Sequence, residues 1–219
     1  MNVDFSHMQS QIRSERPPSV DLLGTSTRLW PVVYMTPPWM FRHRSEKGDS
    51  RGPSGGRTAT YDFSDLASMP IPSLLERNAA VFVWAPDTQL PKVFSLFDVW
   101  GLRYNGIAFH WTRTREGADP ECLHHERDVP MYTGYITRGN PVMLVMGVKG
   151  EPALRKHRHD DGTRRPLKNI RKQQFAPRPP EGAHPRFRDL VAKLYDGPYL
   201  ELFGDGAQGW DSWIPSVEG

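Results

Sequence analysis

The sequence predicts a single α/β domain in which a sheet of buried strands is covered by helices on both faces. Runs of apolar and β-branched residues at 29–35, 79–85 and 141–148 have the length of buried strands and fall far short of a membrane span. A segment at 89–100 carries apolar residues at helical spacing and predicts an amphipathic helix. Strands that alternate with helices imply an α/β sheet, and 219 residues suffice for one such domain.

The chain is predicted to begin with a polar, weakly ordered leader over residues 1–28, followed by one domain over residues 29–219. The leader lacks the apolar core of a secretory signal. The first strand ends before residue 36, because the two prolines that follow cannot continue a central strand. Residues 42–60, rich in Gly, Ser, Arg and Pro, predict a long loop, and such loops in compact domains are commonly functional.

The remaining elements follow the same patterns of apolar spacing, capping and glycine punctuation. In chain order they are a helix over 64–77 that starts near Ser64 or Asp65, a strand over 79–85, the helix over 89–100 closed by Gly101, strands over 104–111 and 141–148, a helix over 187–195 and a strand over 199–203.

Positive charge is concentrated in one segment of the chain. Residues 155–188 contain eleven Lys and Arg against three acids, a net charge of +8, whereas the whole chain carries +3. A basic stripe attracts polyanions, because each neutralised phosphate releases counterions. We therefore predict nucleic-acid contacts from this segment, with a solvated loop as the alternative, and a further phosphate contact from Arg42. The residues of the segment predicted to bind substrate are Arg164, Arg165, Lys168, Arg171 and Lys172.

The first candidate motif is Thr36-Pro37-Pro38-Trp39, directly after the first strand. The prolines stiffen the backbone and remove N–H donors, so the local carbonyl groups can accept hydrogen bonds from an incoming amino group. The Thr36 hydroxyl can accept another, and Trp39 offers a flat face on which a base can stack. Rigid acceptors beside an aromatic plane suit an exocyclic amine, although a Pro-Pro sequence alone indicates a simple turn.

The second candidate motif is Glu201-Leu202-Phe203-Gly204-Asp205-Gly206, at the end of the last predicted strand. A glycine turn lets the backbone approach a ligand closely, and an acid at a strand end can bind ribose hydroxyls or an ammonium group. In open α/β sheets, ligands bind just beyond the carboxyl ends of the strands. We therefore expect the two motifs to meet across one crevice.

The order of the motifs resembles the permuted layout of amino-group methyltransferases, in which the amine-binding motif precedes the cofactor motif. The resemblance is to the MT-A70 family, which includes eukaryotic messenger-RNA adenosine methyltransferases and many bacterial and phage DNA adenine methyltransferases. It covers residues 30–218, with residues 36–39 in place of the family's Asp-Pro-Pro-Trp. Further family-like landmarks are Tyr61, Val81-Phe82-Val83-Trp84, Trp100-Gly101-Leu102, Trp111, Lys149-Gly150, Glu201-Leu202-Phe203 and Gly209-Trp210-Asp211-Ser212-Trp213.

The resemblance implies a Rossmann-like methyltransferase that uses S-adenosylmethionine (SAM) and acts on the exocyclic 6-amino group of adenine in nucleic acid, DNA rather than RNA. A flipped or unpaired base is expected, with catalysis by positioning and polarisation. The residues assigned to catalysis are Thr36, Pro37, Pro38 and Trp39. Those assigned to SAM are Met35, Thr36, His184, Arg186, Glu201, Phe203, Gly204, Asp205 and Gly206, while Tyr61 and Trp111 join the substrate side.

Two departures from the family pattern leave alternatives open. Thr36 stands where the family has Asp, and a hydroxyl accepts hydrogen bonds more weakly than a carboxylate. Ser and Thr occupy this position in methyltransferases of the 4-amino group of cytosine, which is one alternative. A catalytically silent scaffold that binds nucleic acid or a sister subunit is the other. Near His184 the family's Lys is missing, and Arg186 or Arg188 could supply the charge, although guanidinium and ammonium groups are not equivalent.

Other classes of site are not predicted. The single cysteine, Cys122, excludes an internal disulfide framework and a multi-cysteine zinc site. The histidines and acids at 157–161 are adjacent in a charged loop and do not predict a metal site. The expected partners are nucleic acid and a second copy or a sister subunit, without membrane contact. We expect a cytoplasmic protein of bacterial or phage type.

Overall fold

The structure is a computed structural model of the chain, and it describes residues 28–39, 60–132, 137–178 and 185–214. Most of the predicted leader and of the predicted long loop lie outside these ranges, as do Arg42 and His184. The division of the chain into a leader and one domain therefore stays a prediction.

Seven strands form one sheet in the order β7-β3-β4-β2-β1-β8-β9. β4 is antiparallel to both of its neighbours, and every other neighbouring pair is parallel. Six strands therefore end at one edge of the sheet, which we call the carboxyl edge, and begin at the opposite, amino edge. The strands are β1 (Trp30–Met35), β2 (Leu75–Pro86), β3 (Arg103–Thr114), β4 (Val142–Lys149), β7 (Gln173–Pro177), β8 (Tyr199–Leu202) and β9 (Trp210–Trp213).

Helices cover both faces of the sheet, which confirms the predicted α/β class. α1, α2 and α3 contribute to the apolar core on one face, and α5 contributes to the core on the other. A two-stranded hairpin, β5–β6, forms a second small sheet. The bounds are α1 (Phe63–Ala67), α2 (Ile71–Leu74), α3 (Leu90–Val99), α4 (His125–Asp128), α5 (Pro185–Leu194), β5 (His157–Arg158) and β6 (Arg164–Arg165).

The central strand β1 supplies both cores by simple alternation. Val33 and Met35 point to the face with α3, and Val32 and Tyr34 point to the face with α5. All four side chains are fully buried. Burial of each such side chain contributes about 1.5–3 kcal/mol, so this strand is held firmly in place between the two layers.

The predicted helix over 64–77 is wrong as a single element. α1 begins after Asp62, which caps it through a bond from the Asp65 amide at 2.9 Å, and it ends at Ala67 with Ser68 as its C-cap. α2 follows with proline in its first turn, and β2 starts at Leu75. A second proline, Pro70, lies immediately before α2, and prolines inside a helix remove hydrogen bonds and clash with the preceding turn. The chain therefore breaks into two short helices.

The prediction also missed elements at the edges of the sheet. β7 and β9, the two outermost strands, lie in stretches of mixed polarity without a clear alternation. Edge strands bury less surface, so their sequences carry a weaker apolar signal. Part of the basic segment that was predicted as substrate-binding is ordered as the β5–β6 hairpin.

Candidate active site

The two motifs lie side by side at the carboxyl edge, as the sequence predicted. β1 and β8 pair in parallel, with Met35 opposite Leu202. The Thr36 amide then donates to the Leu202 carbonyl at 3.1 Å, so the pairing extends by one residue into the first motif. The proline corner and the glycine turn therefore leave neighbouring strands at the same level.

The proline corner is fixed by backbone hydrogen bonds and by one buried indole. The Trp39 amide donates to the Pro37 carbonyl and the Tyr61 amide to the Pro38 carbonyl, both at 2.9 Å. Trp39 is 5% exposed, and its Nε1 donates to the Trp84 carbonyl at 2.8 Å. Each carbonyl keeps a second lone pair that can accept a further donor. The ring of Trp39 fastens the corner to β2, and its stacking on a base stays a prediction.

Two buried hydroxyl groups at this corner have no hydrogen-bond partner among the described residues. Thr36 Oγ1 and the Tyr61 hydroxyl make no hydrogen bond within the described residues. Burial, with a smaller contribution from Asp65, raises the pKa of Tyr61 to about 12, so this hydroxyl stays protonated and can donate. Unpaired buried hydroxyls cost free energy, and they are the expected mark of a site that a ligand completes.

Tyr61 links the two motifs. Its backbone is bridged to Trp39, and its ring meets the Phe203 ring edge-on with centroids 4.8 Å apart. The sequence placed Tyr61 on the predicted substrate side and Phe203 on the predicted SAM side. Their contact brings the two predicted subsites together.

The acid of the second motif is enclosed by the protein. Glu201 is fully buried; its Oε1 accepts from Arg188 Nε at 3.0 Å and its Oε2 from the Gly206 amide at 2.9 Å. Burial raises the pKa of Glu201, and the guanidinium of Arg188 opposes that rise. Both carboxylate oxygens hold the turn in shape, and the predicted contact between Glu201 and SAM stays a prediction.

Arg188 joins the whole glycine turn to α5. Besides Glu201, its Nη1 donates to the Gly206 carbonyl at 2.9 Å and its Nη2 to Asp205 Oδ1 at 2.6 Å. From the sequence, Arg186 and Arg188 were alternatives for the missing Lys charge. In the structure Arg186 Nε donates to Gln174 Oε1 at 3.1 Å, and Arg188 is the residue that reaches the motif. In the sequence, Arg188 is distinguished by its position beside Phe187 and Val191 on the apolar face of α5.

The backbone of the turn adopts a shape that restricts which residues can follow Glu201. Phe203 has a φ of 65°, in the left-handed region that side chains rarely adopt. A Cβ on Gly204 would lie 2.3 Å from Glu201 Cδ, so no side chain fits there. Gly204 therefore serves the packing of Glu201, while half-buried Phe203 and exposed Asp205 form the outer surface of the turn.

Trp111 is on β3, which β4 and β2 separate from β1 in the sheet. It is half-buried, donates from Nε1 to the Ala176 carbonyl at 2.9 Å and meets Trp84 edge-on at 5.7 Å. Beyond it a cleft of about 460 Å³ opens between β3, β7 and the segment before β4. This cleft, whose polar lining includes Thr112, Arg138 and Asn140, extends the edge beyond the two motifs.

The predicted basic residues do not gather around the two motifs. Arg164 and Arg165 lie on the β5–β6 hairpin, which packs at the amino edge through bonds to the end of α5. Lys168, Arg171 and Lys172 are exposed on the segment that leads to β7. Their contacts with substrate stay predictions.

A family model described as MT-A70 matches residues 30–214. The chain belongs to the MT-A70 family. Membership implies SAM-dependent methyltransferase activity, and the seven-stranded sheet with one reversed strand is the Rossmann-like methyltransferase fold. Among curated proteins, no match to the chain was found.

The exposed part of this MT-A70 site fits SAM. An unpaired Thr36 hydroxyl stands at the corner, and the Asp205 side chain is 65% exposed, with Oδ2 making no hydrogen bond within the described residues. A carboxylate oxygen in this position suits a ribose hydroxyl or an ammonium group, and Phe203 offers an apolar surface. Thr36, Phe203 and Asp205 could therefore hold the cofactor, whereas Glu201 supports the turn from beneath.

Two further features of the described residues bear on the class of site. They contain no group of three or more His, Cys, Asp or Glu that could hold a metal ion. Among their helices, none is long and apolar enough to cross a membrane.

Proposed function

We propose that this chain transfers a methyl group from SAM to the exocyclic 6-amino group of adenine in nucleic acid, with DNA as the favoured substrate. The observation that carries this proposal is the buried Thr36 hydroxyl just after β1, which has no hydrogen-bond partner in the part of the chain that the structure describes. The amide of the same residue is bonded to the Leu202 carbonyl at the end of β8. A polar atom without a partner, between an amine-binding corner and a cofactor turn, suits an amino group that arrives with the substrate.

When bound, SAM supplies a methyl group on positively charged sulfur. Thr36 Oγ1 and the second lone pair of the Pro37 carbonyl would accept the two hydrogens of the amino group and fix its orientation. Neither is a strong base, so the protein would act by positioning and by polarising the amine. The protonated Tyr61 hydroxyl would donate to an acceptor on the base, and a base in this corner must leave its stack.

Two other functions are each favoured by a specific observation. A hydroxyl in place of the family's carboxylate favours the 4-amino group of cytosine. The engagement of Glu201 and Asp205 by Arg188 favours a catalytically silent scaffold that binds nucleic acid or a partner subunit. A homodimer or a sister-subunit heterodimer and a cytoplasmic setting belong to the same proposal.

The test is transfer of labelled methyl from SAM to unmethylated DNA, followed by separation of the nucleosides. We expect label on adenine with the natural chain and with Thr36→Ser, which keeps the hydroxyl. We expect background label with Thr36→Val, which keeps the shape and removes the hydroxyl. Label on cytosine would show that the target base is cytosine and not adenine.

Calorimetry with SAM separates the enzyme from the scaffold. Binding of SAM together with methyl transfer supports the enzyme. DNA binding without SAM binding, and without label on either base, would leave the scaffold as the function. Gain of transfer in Thr36→Asp would show that the natural residue has weakened an ancestral activity.

A further inference from the structure

A second cleft, of about 730 Å³, lies beside the β5–β6 hairpin and is distinct from the active site. It is lined on one side by the segment that enters β5 and on the other by β6 and the residue after Tyr195. The polar residues of its lining are Arg155, Lys156, His157, Arg158, Arg164 and Asp196.

This cleft is at the amino edge of the sheet. The Arg155 amide donates to the Leu194 carbonyl at 2.8 Å, and His157 Nε2 is 2.7 Å from the Lys193 carbonyl. Both carbonyls belong to the last turn of α5, which leads into the beginning of β8 at Tyr199. The hairpin therefore packs where β8 starts, whereas the glycine turn follows where β8 ends.

The described residues leave part of the positive charge of the cleft without an ion pair. Arg155 is paired with Asp196 at 3.2 Å, but Lys156, Arg158 and Arg164 make no ion pair within the described residues. All three of these side chains are exposed. The nearest acid along the chain that makes no ion pair within the described residues is Asp160. The cleft thus presents three positive charges against that one acid.

The hairpin places two of these charges opposite each other. Arg158 pairs directly with Arg164 across the two strands. Like charges at opposed positions destabilise a strand pair, so this arrangement is unfavourable until an anion lies between them. The hairpin is nevertheless well built: Asp161 accepts from the Thr163 hydroxyl at 2.7 Å and from Arg165 Nη1 at 2.6 Å.

We propose that this cleft is a phosphate-binding site that holds the backbone of the nucleic-acid substrate away from the target base. The inference rests on the proposed function for the choice of nucleic acid. β1 has 6 residues, and at about 3.3 Å per residue the two edges are at least about 20 Å apart. At about 3.4 Å per base step, a substrate must extend at least about six base pairs from its target base to reach the cleft.

The test compares DNA duplexes whose arms on each side of a central adenine are about 3 or about 15 base pairs long. Fluorescence anisotropy measures their affinity for the full chain and for the triple variant Lys156→Gln, Arg158→Gln, Arg164→Gln. The control triple variant removes equal charge elsewhere, at Arg77, Lys92 and Arg103.

We expect the cleft variant to bind the long duplex roughly tenfold more weakly and the short one with unchanged affinity. The slope of log affinity against log salt should fall by about 0.9 for each phosphate that the variant no longer neutralises. SAM binding should stay unchanged and the melting temperature should not fall, because the three side chains are exposed and their removal relieves the repulsion between Arg158 and Arg164.

Three results would overturn the proposal: equal weakening for both duplexes, no weakening for either, or the same weakening in the control variant. Since affinity is measured without methyl transfer, absence of activity would refute the proposed function and leave this test intact. Should the triple variant unfold, Arg164→Gln alone gives the same comparison of duplex lengths with a smaller change in slope.

Discussion

At the scale of single residues, the corner after β1 combines fixed backbone with unsatisfied side chains. Its amide groups and the Trp39 indole all have partners, whereas Thr36 Oγ1 and the Tyr61 hydroxyl have none among the described residues. Because the backbone amides of this corner already have partners, removal of the two unpaired hydroxyls would stabilise the fold. Their presence is best explained by what they bind.

Replacing Tyr61 with Phe separates a ligand contact from a structural one. We expect the free energy of unfolding to stay the same or to rise by about 1 kcal/mol, because an unpaired buried hydroxyl is removed. Methyl transfer should fall about tenfold, since the substrate is held by one hydrogen bond fewer. Urea unfolding and the labelled-SAM assay measure the two effects.

Tyr34→Phe is the matched control for this experiment. The Tyr34 hydroxyl accepts from Trp84 Nε1 at 2.5 Å, and both side chains are buried. Its removal leaves the indole unpaired, so we expect a destabilisation of about 1–3 kcal/mol. Equal destabilisation by the two substitutions would mean that the Tyr61 hydroxyl has a structural partner.

At the scale of secondary structure, a buried ion pair connects α5 to the end of β8, just before the glycine turn. Arg188 and Glu201 are 6% and 0% exposed, and the pair is thirteen positions apart in the chain. Removing one partner from a buried pair leaves a charge without compensation, and this costs more than the intact pair contributes. The helix, the turn and the strand therefore depend on each other through this contact.

A double-mutant cycle tests this dependence. We expect Arg188→Met to lower the free energy of unfolding by about 3–5 kcal/mol, because Glu201 stays buried without the guanidinium that compensates its charge. Adding Glu201→Gln, which keeps an acceptor for the Gly206 amide, should recover a large part of that stability. Urea denaturation of the single and double variants gives the coupling energy.

Arg103→Met provides the control for the cycle. Arg103 pairs with Glu151 at 3.1 Å on the surface, with side chains 58% and 87% exposed. Exposed pairs of this kind contribute about 0–1 kcal/mol. If Arg188→Met costs no more than Arg103→Met, the buried pair does not support the turn.

At the scale of the whole molecule, the sheet joins two apolar layers into one folding unit. Phe187 on α5 packs against Trp84 and Phe109 on one face, while Leu96 on α3 belongs to the core on the other. Because alternate residues of β1 and β2 enter both layers, neither layer can open without disturbing the strands of the other.

Substitution in each layer tests this cooperativity. Both side chains are fully buried, so we expect Phe187→Ala to cost about 3–5 kcal/mol and Leu96→Ala about 2–5 kcal/mol. Each variant should unfold in one transition at a lower urea concentration. Val99→Ala, at a position 56% exposed, should leave the transition almost in place. Two separate transitions in either core variant would show that the layers unfold independently.

The sequence by itself determined the local features of this protein. Buried strands such as 79–85 were predictable because apolar residues in a short run have few other places to go. The end of β1 was predictable because Pro37 and Pro38 cannot continue a strand. The order of the two motifs, which led to the family, is likewise a property of the chain alone.

Only the tertiary structure decided which groups meet. The bond from the Thr36 amide to the Leu202 carbonyl joins residues at opposite ends of the chain, and no local pattern specifies that register. The enclosure of Glu201 depends on the contact that Arg188 of α5 makes with it, and the placement of Arg164 at the amino edge follows from where the hairpin packs. Charge and periodicity in the sequence identify residues of this kind, but packing between distant segments sets their partners. The candidate site could therefore be located from the sequence, whereas its internal contacts could not.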